Sequence, residues 1–164
     1  MAKLAYIKFN SKGFWIPEAF VEVLSDYICE VFEANDVSTF SANLQDLYEY
    51  CDANRSGASM GMVGISFDRT ITNDTDKATL IDILNQTKSL IGPKGQELSI
   101  NTLNEFENRK VDDSFKKGWV FPVKTHSLTA TIDIVIQMLN GTWASDNYSV
   151  YYTGFPNPTG QPEI

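Results

Sequence analysis

An α+β domain is the fold class this sequence predicts, with a mixed or antiparallel sheet of four to five strands packed with four to five helices. Three observations lead there. Apolar residues recur at helical spacing over long segments, above all 17–34, 76–91 and 127–140. Shorter segments rich in β-branched and aromatic residues lie at 4–9, 60–67, 97–100, 119–123 and 148–153. The two kinds of segment do not alternate regularly, so neither repeated βαβ units nor an internal repeat is legible. A chain of 164 residues, 43% hydrophobic and 12% aromatic, fits one globular domain over 1–164. That length buries a core without help from disulfides or metal.

The elements follow in order. Leu4 to Phe9 alternates as a first strand, and Ser11-Lys12-Gly13 turns the chain. Pro17 suits the first position of a helix over 17–34, because its missing N–H would be unpaired there anyway. In that helix Phe20, Val21, Val23, Leu24, Tyr27, Ile28, Val31 and Phe32 share one half of the surface. Glu18, Glu22, Asp26, Glu30 and Glu33 occupy a separate sector of roughly 120°. Ser41 caps a second helix running to about Ala53, with Leu44, Leu47, Tyr48 and Cys51 on its apolar face. Asp46, Glu49 and Asp52 lie on its other side.

Asn54 to Gly57 reads as a turn, and Met60 to Phe67 as a strand whose Gly64 and Ser66 let something pack close to one face. A third helix spans Asp76 to Ile91 and stops at Gly92-Pro93. A short strand near Glu97 to Ile100 precedes a short helix begun by the capping-box spacing of Thr102 and Glu105. Lys110 to Gly118 is charged and irregular. Trp119 to Val123 is extended, and Pro122 assigns it to a sheet edge. Ser127 to Asn140 alternates like a strand over Thr131 to Ile136 and also carries a helical stripe; its length and the stop at Asn140-Gly141 favour a helix, and Tyr148 to Thr153 is a strand. The tail, about 154–164, holds three of the six prolines and is expected to be irregular.

Charge is distributed unevenly. Between Gly13 and Asn54 there are nine acidic residues and no Lys or Arg, so this block carries the whole net charge of −8. The periodicity puts its carboxylates on the outside of two consecutive helices. Glu18, Glu22, Asp26, Glu30, Glu33, Asp46, Glu49 and Asp52 are therefore the expected partner-binding residues, and the expected partner is a protein with a basic surface. Reversing Glu22, Asp26 and Glu30 to Lys is expected to weaken that association and leave the fold intact. Direct nucleic-acid binding is disfavoured, because phosphate recognition needs a basic surface. No apolar run is long enough to span a membrane, and the start lacks the apolar core of a signal peptide, which makes the expected location cytoplasmic.

Catalytic and metal-binding patterns are poorly represented. Asp52, Asn54, Ser56 and Gly57 match the start of a calcium loop, but Val63 stands where a bidentate Glu is needed. His126 is the only histidine and has no metal-ligand spacing around it; a small hydrolase or transferase using it with carboxylates is the alternative reading. Cys29 and Cys51 lack CxxC spacing and read as buried thiols. No phosphate loop or nucleophile elbow occurs. The expected function is non-catalytic binding with no cofactor; a structural or assembly module with a solubilising acidic face is the other alternative.

Four stretches, Leu103-Asn104-Glu105-Phe106, Trp119 to Val123, Ser127 to Gly141 and Val150 to Phe155, resemble small bacterial immunity proteins of contact-dependent growth inhibition systems. That resemblance covers roughly the C-terminal third. It implies a protein that binds and neutralises a cognate toxin, of which nucleases with basic clefts are common examples. No binding residue carries over from it.

Overall fold

The chain begins with a tight hairpin that positions everything else. In the computed structural model, which describes residues 3–59, 63–144 and the backbone of 148–149, strand β1 (Leu4–Phe9) pairs antiparallel with β2 (Lys12–Pro17). Asn10 and Ser11 alone connect them, with φ of 49° and 65°. Two successive positive φ values define the hairpin turn whose twist matches that of its strands. The turn thus lies one residue earlier than the sequence suggests, and β2 is a strand the sequence reading missed. Alternation sends Phe14 and Ile16 inward with Ala5 and Ile7, and Trp15 outward with Leu4, Tyr6 and Lys8.

Strand β3 (Gly64–Ser66) joins β1 in parallel, and β6 (Tyr148–Ser149) joins β2 in parallel. The resulting sheet is mixed, in the order β3-β1-β2-β6. A separate ribbon pairs β4 (Glu97–Leu98) with β5 (Val123–Lys124). Of the expected strand at 60–67, residues 60–62 lie outside the described residues, and Phe67 opens a 3-10 turn. Of the one expected at 148–153, the first two residues form β6; the rest, and the tail, lie outside the described residues.

Among the described residues there are five α-helices, of which the first two meet the sheet. Helix α1 (Glu18–Ala34) packs against the sheet, α2 (Ala42–Ser56) and α3 (Asp74–Ile91). Every residue from Phe20 to Cys29 is buried, so α1 is the central helix and is enclosed on all sides. Pro17 caps it from the end of β2 instead of entering its first turn. In α2 the Ser41 hydroxyl accepts from the Leu44 amide at 3.3 Å, as expected of a cap. The helix continues through Asn54 to Ser56 and ends at left-handed Gly57, one turn beyond the sequence reading.

Helix α4 (Ile100–Phe106) is capped by Ser99, which takes the Thr102 amide, so Thr102 is not itself the cap. Helix α5 (Thr125–Asn140) closes at left-handed Gly141. Helices and inner sheet face share one continuous apolar core, and the fold is α+β. No helix among the described residues is long and apolar enough to cross a membrane.

Candidate functional site

The first three acids of the α1 stripe do not face outward, and this is the main correction to the sequence reading. Glu18, Glu22 and Asp26 are 9%, 6% and 2% exposed. A strap of chain between α4 and β5 crosses them and brings its own cations. Lys110 Nζ donates to Glu22 Oε2 at 2.8 Å and Lys117 Nζ to Glu22 Oε1 at 2.7 Å. Arg109 pairs with Asp26 through one nitrogen and with half-buried Glu30 through the other, at 3.3 Å. The strap is itself held by Glu107, whose buried carboxylate accepts from the Trp119 indole at 2.8 Å and the Lys117 amide at 2.9 Å. Glu18 lines a cavity of about 230 Å³ with Lys3, Gly57, Phe115 and Lys117.

The physical reason is that like charges on one helix repel and are costly to bury unless paired. The stripe recruits Arg109, Lys110 and Lys117, while Lys116 pairs within the strap with Asp113. Burial pushes the Asp26 carboxyl up to about 6, and the Arg109 guanidinium offsets only part of that shift. Arg109 is partly desolvated, which works against its charge, yet Asp26 and Glu30 hold its pKa above the ordinary value.

At the far end of the stripe Glu33 is exposed and shared between Arg55 and the Tyr48 hydroxyl, at 2.9 Å from the latter. These hydrogen bonds outweigh the desolvation of Glu33 and lower its pKa. Arg55 also donates to Asp52 at 2.7 Å, so Asp52 belongs to the same cluster. Three of the eight expected residues form no ion pair among the described residues: buried Glu18, and Asp46 and Glu49, which are both exposed on α2.

An aromatic trough lies on the outer face of the sheet, with Tyr50 of α2 in its wall. Leu4, Tyr6, Trp15, Tyr50, Val63 and Gly64 line most of it, and Lys8 and Ser66 lie at one end. Its volume is about 330 Å³. Leu4, Trp15 and Tyr50 are 38%, 40% and 37% exposed, high for large apolar side chains. The Tyr6 and Trp15 ring centroids are 4.7 Å apart, on directly paired residues of β1 and β2. Tyr50 follows Asp46 by one helical turn, which places acid and aromatic on one face of α2.

Two glycines make the trough. Gly64 sits opposite Tyr6 across the β1–β3 pair, where a Cβ would meet the Tyr6 carbonyl at 2.8 Å. Gly13 lets the Tyr6 ring lie flat over β2; a Cβ there would stand 2.6 Å from the ring and from the Ile7 carbonyl. Gly13→Ala is therefore expected to cost about 1–3 kcal/mol by overpacking. Urea unfolding checks this, and an unchanged midpoint would contradict the close approach.

The other candidates resolve into structural roles. The calcium-like fragment is the last turn of α2, with Asp52 committed to Arg55. Among the described residues no cluster of ligating side chains suits a metal ion. His126 is exposed in the first turn of α5 and lines none of the cavities around the strap and the trough. Cys29 and Cys51 are buried free thiols, and burial pushes Cys51 up to about 12. Asp76, unremarked in the sequence, ties two helix starts together: it accepts from Ser41 at 2.7 Å, Asn43 at 3.0 Å and Asn73 at 2.6 Å. Those bonds lower its pKa.

Tyr6, Trp15 and Tyr50 are trough residues that the sequence reading assigned to no binding face. The alternation Gly13, Trp15 against Phe14, Ile16 was the available signal, hidden by reading 11–13 as a turn. The chain matches no protein-family model, no curated protein and no solved structure.

Proposed function

We propose that this is a non-catalytic binding protein that acts in the cytoplasm as an immunity protein, neutralising a cognate toxin with a basic surface. The observation that carries the reading is the aromatic trough on the outer face of the sheet. Exposed aromatic side chains gathered in a concavity are the usual anchors of a protein interface, and Trp and Tyr dominate such hot spots. Asp46 and Glu49 beside Tyr50 add uncompensated negative charge, which favours a basic partner and speeds its approach. The partner-facing acids are then those of α2, while those of α1 serve the fold. The toxin assignment itself rests on the resemblance of the C-terminal third.

The test is genetic and direct. Expression of the gene product encoded immediately upstream is expected to arrest growth, and co-expression of this protein to restore it. The Trp15→Ala/Tyr50→Ala variant should lose at least tenfold in affinity, since each hot-spot truncation costs about 2 kcal/mol. It should keep its far-ultraviolet circular dichroism. Failure of the native protein to restore growth contradicts the immunity reading. Full protection by the double variant contradicts the assignment of the face.

A further inference from the structure

We propose that the cavity between the first turn of α1, the end of α2 and the strap binds a free aliphatic α-amino acid. Glu18 takes its ammonium group, Lys3 its carboxylate, and Phe115 with Val63 its side chain. The inference stands apart from the proposed binding face, with which this cavity shares only Val63 among their lining residues.

The first observation is an unpaired buried charge. Glu18 lines the cavity at 9% exposure, and its carboxylate makes no hydrogen bond or ion pair among the described residues. A carboxylate so withdrawn from water is costly unless a cation meets it. Glu22, one turn along α1, lines the same cavity and receives both Lys110 and Lys117.

The second is the set of charges left over. Of the three lysines that line the cavity, Lys117 is held by Glu22 and Lys116 by Asp113. Lys3 makes no ion pair among the described residues, so the cavity keeps one uncommitted charge of each sign. A plain amine would face the three lysines, and a plain carboxylate would face Glu18 and Glu22. A molecule bearing both groups meets each charge with its opposite.

The third is an apolar wall of limited size. Left-handed Gly57 lets the Phe115 ring close against the end of α2; a Cβ there would stand 3.0 Å from the ring. Val63 extends that wall. The volume of about 230 Å³ holds roughly seven or eight water-sized groups at ~30 Å³ each, which suits a molecule the size of leucine.

Titration of the full chain with L-leucine, followed by NMR, is expected to shift the Val63 methyl and Phe115 ring resonances saturably, with a Kd of about 1 mM or tighter. Leucinamide lacks the carboxylate and N-acetyl-leucine lacks the ammonium. Each should bind at least about tenfold more weakly, the loss of one charge-assisted contact. Glu18→Gln should weaken leucine binding about tenfold, and exposed Lys3→Met about threefold. Both variants should keep the circular dichroism of the native protein. No saturable shift up to about 20 mM leucine would overturn the proposal. So would binding of either analogue as tight as that of leucine, full binding by Glu18→Gln, or a shift confined to resonances outside the cavity.

Discussion

Glu22→Ala is expected to destabilise the protein by about 3–5 kcal/mol, the cost of leaving a buried charge without its partner. The stranded group is Lys110, whose side chain is only 3% exposed. Lys117, the second cation on Glu22, is 37% exposed and returns to water with little loss. A domain of this size has about 5–15 kcal/mol in total, so the variant is expected to be marginal or unfolded at 37 °C. Reversing Glu22, Asp26 and Glu30 to Lys would set three more cations against Arg109, Lys110 and Lys117. That triple variant is expected to unfold, contrary to the expectation drawn from periodicity alone. Thermal unfolding followed by circular dichroism checks both.

Asp26 carries the second large effect, and its sign is unusual for a carboxylate. Its folded pKa of about 6 lies above the ordinary 3.8 because burial outweighs Arg109. Between those values the folded protein holds a proton that the unfolded chain has released. Its contribution to stability therefore falls as pH rises from about 4 to 6 and is level above that, a loss on the order of 3 kcal/mol. Asp76 and Glu33 act oppositely: their lowered pKa values stabilise the fold above the ordinary carboxylate range, and that contribution disappears as pH falls through their folded values. Subtracting the two profiles isolates Asp26. The stability of wild type relative to Asp26→Asn, measured in urea from pH 4 to 7.5, should fall by about 3 kcal/mol across that range, since Asn mimics the protonated carboxyl. Parallel profiles would show that Asp26 titrates normally.

Much of the fold was legible because its helices carry period. In α1 and α3 the apolar residues repeat every three to four positions, and Ser41 and Gly141 mark ends that the structure keeps. β2 escaped because Gly13 and Pro17 bracket a segment that reads locally as turn and helix start, and only pairing with β1 makes it a strand. The stripe on α1 was correctly located and wrongly faced. Periodicity separates Glu22 from Phe20 and Leu24 but does not say what covers each side. The covering element, the strap with Arg109, Lys110 and Lys117, has no period, and its partners lie some 80 to 95 residues away in sequence. A block of unpaired acids and a later cluster of basic residues were both visible. Their match is a tertiary fact, and it moves the candidate binding surface from α1 to α2 and the outer sheet face.

The division between internal and external acids is tested most directly by a double-mutant cycle on Glu22 and Lys110. Unfolding free energies of Glu22→Ala, Lys110→Met and the combined variant should yield a coupling of at least about 2 kcal/mol, with the double variant more stable than Glu22→Ala alone. A coupling within about 0.5 kcal/mol of zero, the range of additive and independent sites, would place Glu22 in solvent and contradict the account.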